Sequence, residues 1–114
     1  MNLLDEMSIS RSLVAVAMGR APADVVLRDG KWVCVQSGEI IPHTDVAIKG
    51  ERIAYVGDDA SHTVGEGTQI IDTEGRFLVP GLLDAHMHVE SGMLTVTEFV
   101  RAVIPHGTTG MFID

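Results

Sequence analysis

The feature that most constrains the fold is a change of pattern at Pro80-Gly81. Before this dipeptide, over residues 24–79, short apolar runs alternate with glycine-containing turns, which is typical of β-sheet. After it, the apolar periodicity is first that of a strand, then of a helix, then of a strand again. We therefore expect two structural units, residues 1–79 and residues 80–114.

The first unit is predicted to be a helix followed by a small β-sandwich. Residues 7–18 have helical periodicity, and Gly19 is a suitable C-terminal stop. The apolar face of this helix contains Ile9, Leu13, Val16 and Ala17. Three glycine-containing turns flanked by apolar runs each predict a hairpin: Asp29-Gly30, Lys49-Gly50-Glu51 and Glu74-Gly75. Short strands joined in this way favour a sandwich or an open barrel.

The second unit is predicted to be a strand, a helix and a strand. Residues 82–89 predict the first strand, and residues 108–113 predict the second. Between them, residues 95–104 predict a helix with Thr95 and Glu98 at capping-box spacing. Its apolar stripe contains Val96, Phe99, Val100 and Val103, and it ends at Pro105. Two strands joined by a helical crossover form the βαβ unit of a parallel sheet, so the fold class is mixed β and α/β.

Charge and composition argue against several kinds of partner. The chain has 8 Lys and Arg against 16 Asp and Glu, a net charge of -8 without a basic run, which disfavours nucleic acid. No apolar run approaches the ~20 residues of a membrane span, and the first ten residues do not resemble a signal peptide. The single cysteine, Cys34, is predicted to be a core residue in a reducing compartment. We therefore expect a cytoplasmic protein that binds neither nucleic acid nor membrane.

A candidate metal site lies at the end of the strand that opens the second unit. Strand alternation places Asp84, His86, His88 and Glu90 on one side. The two histidines lie about 6.6 Å apart along the strand, so both imidazoles can converge on one cation. The alternative is a polar strand face, with the histidines exposed or satisfied by hydrogen bonds. Barrel enzymes place their chemistry at the C-terminal ends of strands, which favours the metal site.

The segments around these residues resemble those of a known protein family. The segment VPGLLDAHMH resembles the Pro-Gly…Asp-x-His-x-His signature of the amidohydrolase superfamily. Its continuation, HVESGMLTVTEFVRAVIPHGTTGMFID, resembles the adenine deaminase family within that superfamily. The segment LVAVAMGRAPADVVLRDGKWVCVQSGEI also resembles that family, so the resemblance covers about residues 9–114. Gly92 and Gly110 depart from the family pattern, but neither change removes a metal ligand.

The resemblance implies a small β-sandwich followed by a metal-dependent (β/α)8 barrel, of which residues 80–114 would be strand 1, helix 1 and strand 2. It implies that His86 and His88 bind a divalent metal (manganese, iron or zinc) in a site that is binuclear in the full-length enzyme. The other ligands would lie in later barrel strands, absent from this chain, so we expect the metal not to be fully bound by this fragment. We therefore expect an N-terminal fragment, inactive alone, of an enzyme that converts adenine and water to hypoxanthine and ammonia.

The roles predicted for the remaining candidate residues are less specific. Glu90 is a candidate catalytic residue, either a further ligand or a group that orients a ligand or the base; its alternative is a solvated carboxylate. Asp84 is predicted to fix the tautomer of an imidazole, or else to cap a loop. Structural or surface roles are expected for His106, His43 and His62, and gap-filling for Met87 and Met93.

Two other functions are left open by the sequence. One is a different amidohydrolase acting on cyclic amides, similar to dihydroorotase, although the segments ESGML and PHGTT favour adenine deaminase. The other is a non-catalytic β-rich binding or assembly module. Strands of an incomplete barrel would expose apolar side chains, so we also expect self-association or a homo-oligomer.

Overall fold

The structure is a computed structural model that describes residues 3–113. The chain divides into two compact units, Met1–Val79 and Pro80–Asp114. The described residues form two α-helices and seven β-strands: α1 Leu3–Ala17, β1 Val25–Cys34, β2 Glu39–Lys49, β3 Arg52–Gly57, β4 Gln69–Asp72, β5 Phe77–Leu78, β6 Leu82–Met87, α2 Val96–Val103 and β7 Thr108–Ile113. No helix within residues 3–113 is long and apolar enough to cross a membrane.

Helix α1 begins earlier than predicted and ends at Ala17, one residue before its predicted end. It starts at Leu3 rather than at residue 7, because residues 3–6 include leucine and glutamate, which favour helix. After the helix, Gly19 adopts a left-handed conformation (φ 67°), and its amide donates to the Val16 carbonyl at 2.9 Å. Val16 is completely buried, whereas Ile9 is 36% exposed and lies at the edge of the inner face.

The first unit contains one five-stranded sheet in the order β3-β2-β1-β4, with β5 also beside β1. Strands β1, β2 and β3 are antiparallel neighbours, whereas β4 and β5 both run parallel to β1. Helix α1 packs against β2 and β3. The two stacked sheets of the predicted sandwich are not formed by the described residues of this unit, because β4 and β5 join the same sheet as β1.

Of the three predicted hairpin turns, the one at Gly50 is confirmed, whereas the one at Asp29-Gly30 is a bulge. The turn at Gly50 joins β2 to β3, with Lys49 opposite Arg52. The prediction at Asp29-Gly30 is wrong, because β1 continues through this dipeptide and only its register with β2 shifts there. Asp29 has a left-handed backbone conformation (φ 56°), which occurs in β-bulges as well as in tight turns.

The third predicted hairpin, at Glu74-Gly75, is also wrong. The two strands that flank it, β4 and β5, pair with β1 and not with each other. Glu74 and Gly75 are left-handed (φ 54° and 70°), and the Gly75 amide donates to the Asp29 carbonyl at 2.9 Å. Glu74 and Gly75 therefore interrupt the pairing of this part of the chain with β1, and they lie opposite the bulge in β1.

The core of the first unit lies between α1 and the sheet. Its buried residues are Val16, Ala23, Val26, Ala47 and Ala60, with Tyr55 packed at the side. Cys34 is 7% exposed, as predicted for a core residue. The buried Asp45 accepts hydrogen bonds from the amides of Asp29 at 2.9 Å and Ala60 at 3.0 Å. This carboxylate therefore satisfies main-chain donors from two separate segments.

The second unit has the predicted order of strand, helix and strand, and β6 and β7 pair in parallel. The Thr95 side chain caps α2 by accepting from the Glu98 amide at 3.3 Å. Within the predicted apolar stripe, Val96 is 54% exposed, and three members are half-buried: Phe99, Val100 and Val103. The helix is followed by a 3₁₀ turn, Ile104–His106, that leads into β7.

Candidate metal site

The candidate site lies where β6 ends and a 3₁₀ turn begins. The strand ends at Met87, two residues before its predicted end, and the turn spans Val89–Gly92 with His88 at its N-terminal boundary. Val89 is 6% exposed, so this turn is anchored by a buried side chain. The predicted alternation therefore stops at Met87, and Glu90 lies on the turn rather than on the strand face.

Despite this turn, the structure brings three of the four predicted site residues together. The Nε2 atoms of His86 and His88 are 2.9 Å apart, and the rings meet edge to face with centroids separated by 4.6 Å. The Nδ1 atom of His88 lies 3.0 Å from Oε1 of Glu90. The side chains of His88 and Glu90 are 47% and 64% exposed, so water and ions reach this group.

The separation of the two Nε2 atoms can be compared with the separation expected for two ligands of one divalent cation. Imidazole nitrogens bind zinc at about 2.0–2.1 Å, so two of them at a right angle around one ion lie about 2.9 Å apart, and at a tetrahedral angle about 3.4 Å apart. The observed 2.9 Å matches the right-angle value, is shorter than the tetrahedral value, and is also an ordinary hydrogen-bond distance. Within residues 3–113 no group of three or more His, Cys, Asp or Glu is arranged to hold a metal, so metal binding by His86 and His88 stays a prediction.

Asp84 lies within the strand that carries the first histidine. Its Oδ1 atom accepts a hydrogen bond from the main-chain amide of His86 at 3.1 Å. The contact is therefore to the backbone and supports the position of the residue rather than of its ring. A role of Asp84 toward an imidazole stays a prediction.

The other histidines are exposed or contact acidic or main-chain groups. In the first unit, His43 pairs with Asp29 at 2.8 Å, and its side chain is 85% exposed. The Nε2 atom of His62 lies 3.1 Å from the carbonyl of Ala17, at the end of α1. This contact was missed in the sequence because the two residues are 45 positions apart. In the second unit, His106 is exposed at the end of a 3₁₀ turn.

Two further ionisable groups of the first unit have shifted pKa values. The Ser37 hydroxyl lowers the pKa of the Cys34 thiol, and the Ser37 amide adds to the effect. The Ser61 amide lowers the pKa of Asp59, and the Ser61 hydroxyl adds to the effect. Both shifts have local hydrogen bonds as their main cause. Cys34 is the last residue of β1, and Asp59 lies two residues after the end of β3.

Comparisons with known proteins show what the chain is similar to. No family model matches the chain. Similar solved structures are amidohydrolase-family enzymes. One is a prolidase complexed with N-methylphosphonate-L-proline, with a TM-score of 0.62 and 26% identity over 78% of this chain and 25% of that one.

Curated sequences with high identity to this chain are adenine deaminases. Adenine deaminase 3 of Rhizobium meliloti (strain 1021) is 69% identical over 106 residues, which are 93% of this chain and 18% of that protein. Adenine deaminase of Mesorhizobium japonicum (strain LMG 29417 / CECT 9101 / MAFF 303099) is 71% identical over 102 residues, 90% of this chain and 17% of that protein. The resemblance to adenine deaminases is confirmed, and the chain spans less than a fifth of the length of these relatives.

Proposed function

We propose that this chain is part of a metal-dependent adenine deaminase, which converts adenine and water to hypoxanthine and ammonia. One observation carries the proposal: two imidazole Nε2 atoms converge to 2.9 Å in a chain that is 69% identical to an adenine deaminase. In this reaction water adds at C6 of the purine and ammonia leaves, as in other adenine-deaminating enzymes.

In this proposal, residues 80–114 are the first strand, helix and second strand of a (β/α)8 barrel, and residues 1–79 are part of the small domain before it. The parallel pairing of β6 and β7 around α2 supports the barrel. The exposed side chains of Leu83 (72%) and Phe112 (68%) also support it, since barrel strands are covered on both faces when the barrel is complete. A cytoplasmic location and a homo-oligomer remain part of the same proposal.

His86 and His88 would hold one divalent ion (manganese, iron or zinc), and a second ion would require ligands from elsewhere in the enzyme. The chemistry that such an ion supplies is Lewis acidity, which makes water a nucleophile near neutral pH. The chain itself provides two imidazole nitrogens at the carboxyl end of a strand. Because catalytic zinc sites use three protein ligands, we expect no adenine turnover by the 114-residue chain alone.

A chimera tests the proposal directly. In it, this chain replaces the matching segment of the Rhizobium meliloti adenine deaminase, and ammonia release from adenine is measured. We expect activity in the chimera and its loss, by at least about a hundredfold, in His86→Ala and His88→Ala. The control is His106→Ala, which removes an exposed histidine of the same unit. An active chimera whose turnover is unchanged by the two test substitutions would contradict the proposal.

The two alternative functions give different results in this assay. Hydrolysis of a cyclic amide such as dihydroorotate, without ammonia release from adenine, would favour another amidohydrolase. A folded chimera that turns over neither compound would favour a non-catalytic module.

A further inference from the structure

We propose that Met93 is a substrate-contact residue, whose thioether side chain packs against the face of the purine ring. The inference rests on the proposed function, because it names a residue that holds the substrate of that same site. It gives Met93 no part in metal binding or in proton transfer. The contact sets the affinity for the ring, and the reaction at C6 is left to other groups.

The first observation is the exposure of Met93. This residue is 92% exposed, the highest value among the large apolar residues of the described chain, and Leu4 follows at 74%. The gap-filling role predicted for Met93 from the sequence is therefore wrong, since a side chain this exposed fills no gap among the described residues. Exposure of a single apolar side chain is common, so the assignment of a role rests on two further observations.

The second observation is the position of Met93 relative to the candidate metal site. The 3₁₀ turn Val89–Gly92 has His88 at its N-terminal boundary and Met93 at its C-terminal boundary. At a rise of about 2 Å per residue, the two boundaries lie about 10 Å apart. Both belong to the loop at the carboxyl end of β6, the end at which barrel enzymes bind their substrates.

This position separates Met93 from the other exposed apolar residues of the second unit. Leu83 lies within β6 and is 72% exposed, and the remaining strands and helices of a barrel would cover it. Met93 lies in the loop after the strand, where side chains face the substrate rather than the packed layers of the barrel. The proposed incomplete barrel therefore accounts for the exposure of Leu83, and a substrate accounts for that of Met93.

The third observation is the backbone conformation of Met93, which is left-handed (φ 53°, ψ 29°). The other non-glycine residues with positive φ in the described chain are Asp29, His43 and Glu74, and all three are polar. The Met93 amide donates to the Glu90 carbonyl at 3.1 Å, which holds this conformation. A left-handed apolar residue costs stability, and such residues concentrate at ligand sites.

The turn leaves room for a planar ligand. Val89 is 6% exposed and anchors one side of the turn. At Gly92, next to Met93, an added Cβ atom would meet no atom of the described residues within 4 Å. The turn therefore has an anchored side and open space beside it.

The chemistry of methionine suits this ligand. Its side chain is unbranched, and its polarizable sulfur makes favourable contacts with aromatic rings. The face of the ring away from C6 changes little when water adds, so the contact is equally strong in the ground state and in the transition state. Loss of such uniform binding raises KM and leaves kcat unchanged.

Kinetics of the Rhizobium meliloti chimera give the first test. We expect Met93→Ala to raise the KM for adenine about tenfold, the loss of one sulfur–ring contact, with kcat within about twofold and the bound metal unchanged. Met93→Leu keeps an apolar side chain and should restore most of the affinity. The matched control Met18→Ala removes a methionine of α1 that is 56% exposed, and it should leave KM unchanged.

Binding of unsubstituted purine, measured by calorimetry, gives a second test that needs no turnover, because this ligand has no amino group at C6. We expect Met93→Ala and Met93→Gly each to weaken purine binding about tenfold. Met93→Gly should not lower the unfolding temperature, because glycine adopts a left-handed conformation freely.

Two results would overturn the proposal. One is an unchanged KM and an unchanged purine affinity in Met93→Ala. The other is a fall in kcat accompanied by loss of bound metal, since Met93 would then support the metal site instead of the ring.

The two proposals can fail separately in these experiments. A chimera that binds purine through Met93 but releases no ammonia from adenine would sustain the ring contact and sink the deaminase. An active chimera whose KM and purine affinity do not depend on Met93 would do the reverse. A folded chimera that neither binds purine nor releases ammonia would overturn both.

Discussion

The two units differ in how much of their own core they contain. In the first unit Val16, Val26 and Ala47 are each 0% exposed, between α1 and a five-stranded sheet. In the second, Val89 is 6% exposed, and α2 contributes no buried residue. Both units have regular strands and a capped helix. Regular secondary structure alone therefore does not make a core, which needs a second layer on every apolar face.

The less packed unit is the one that carries the candidate site. Its strand residues Leu82, Leu83 and Phe112 are 57%, 72% and 68% exposed. A βαβ unit covers one side of its two strands with one helix, whereas a complete barrel covers both sides of every strand. The first unit is therefore stabilised by its own contacts, whereas the strands of the second unit leave large apolar side chains exposed, as the proposed incomplete barrel would.

The largest expected effect on the free energy of unfolding comes from Leu83→Ala, compared between this chain and the chimera. In this chain the free energy of unfolding should change by less than about 0.5 kcal/mol, because the side chain is 72% exposed. In the Rhizobium meliloti chimera the same change should cost about 3 kcal/mol, as for a buried leucine. Thermal unfolding of both pairs of proteins measures the contrast. Equal effects in the two settings would remove the basis for placing this strand in a barrel.

The next largest effect is expected for Asp45→Ala in the first unit. The substitution leaves the amides of Asp29 and Ala60 without their carboxylate partner, at a cost of about 3 kcal/mol. Urea unfolding measures the loss, and Asp58→Ala serves as a control at a neighbouring exposed carboxylate. A cost equal to that of the control would show that main-chain satisfaction does not stabilise this unit.

A smaller effect is expected for Val16→Ala, with Val14→Ala on the same helix as its matched control. Val16 is 0% exposed and Val14 is 56% exposed. Loss of two buried methyl groups and the cavity left behind should cost about 2 kcal/mol at Val16 and much less at Val14. If urea unfolding gives similar values for both variants, the core does not lie where the structure has it.

The smallest effect is a pH dependence at Asp24. The Gly50 amide lowers the pKa of this carboxyl below its usual value of 3.8, and Lys49 lowers it further. A lowered folded-state pKa stabilises the fold above about pH 4, and the contribution is lost as pH falls through the folded-state pKa. Unfolding temperatures measured from pH 5 to pH 2 should therefore fall less steeply for Asp24→Asn than for the wild type. Parallel slopes would contradict this assignment.

Much of the fold follows from local pattern, and the errors have one physical cause. The parallel pair β6 and β7 and the cap at Thr95 were predicted because periodicity and capping are local. Asp29-Gly30 and Glu74-Gly75 were mistaken for hairpin turns because their left-handed conformations suit turns and bulges alike. Which strand lies opposite is decided by pairing between residues distant in sequence, which a local signal does not contain.

The candidate site was predicted in part. The spacing of His86 and His88 predicts that they share a side, and the structure brings their rings together. The same alternation placed Glu90 on the strand, whereas a turn brings its carboxylate to His88. The contact between Glu90 and His88 depends on that turn, so it could not be predicted from strand geometry.

The central claim is that His86 and His88 hold one ion together, and metal binding by the Rhizobium meliloti chimera tests it most directly. In a calorimetric titration with zinc, we expect the His86→Ala and His88→Ala variants to bind one ion fewer than the unsubstituted chimera. If each variant retains the stoichiometry and affinity of the unsubstituted chimera, the two imidazoles are not a shared site and the account is wrong.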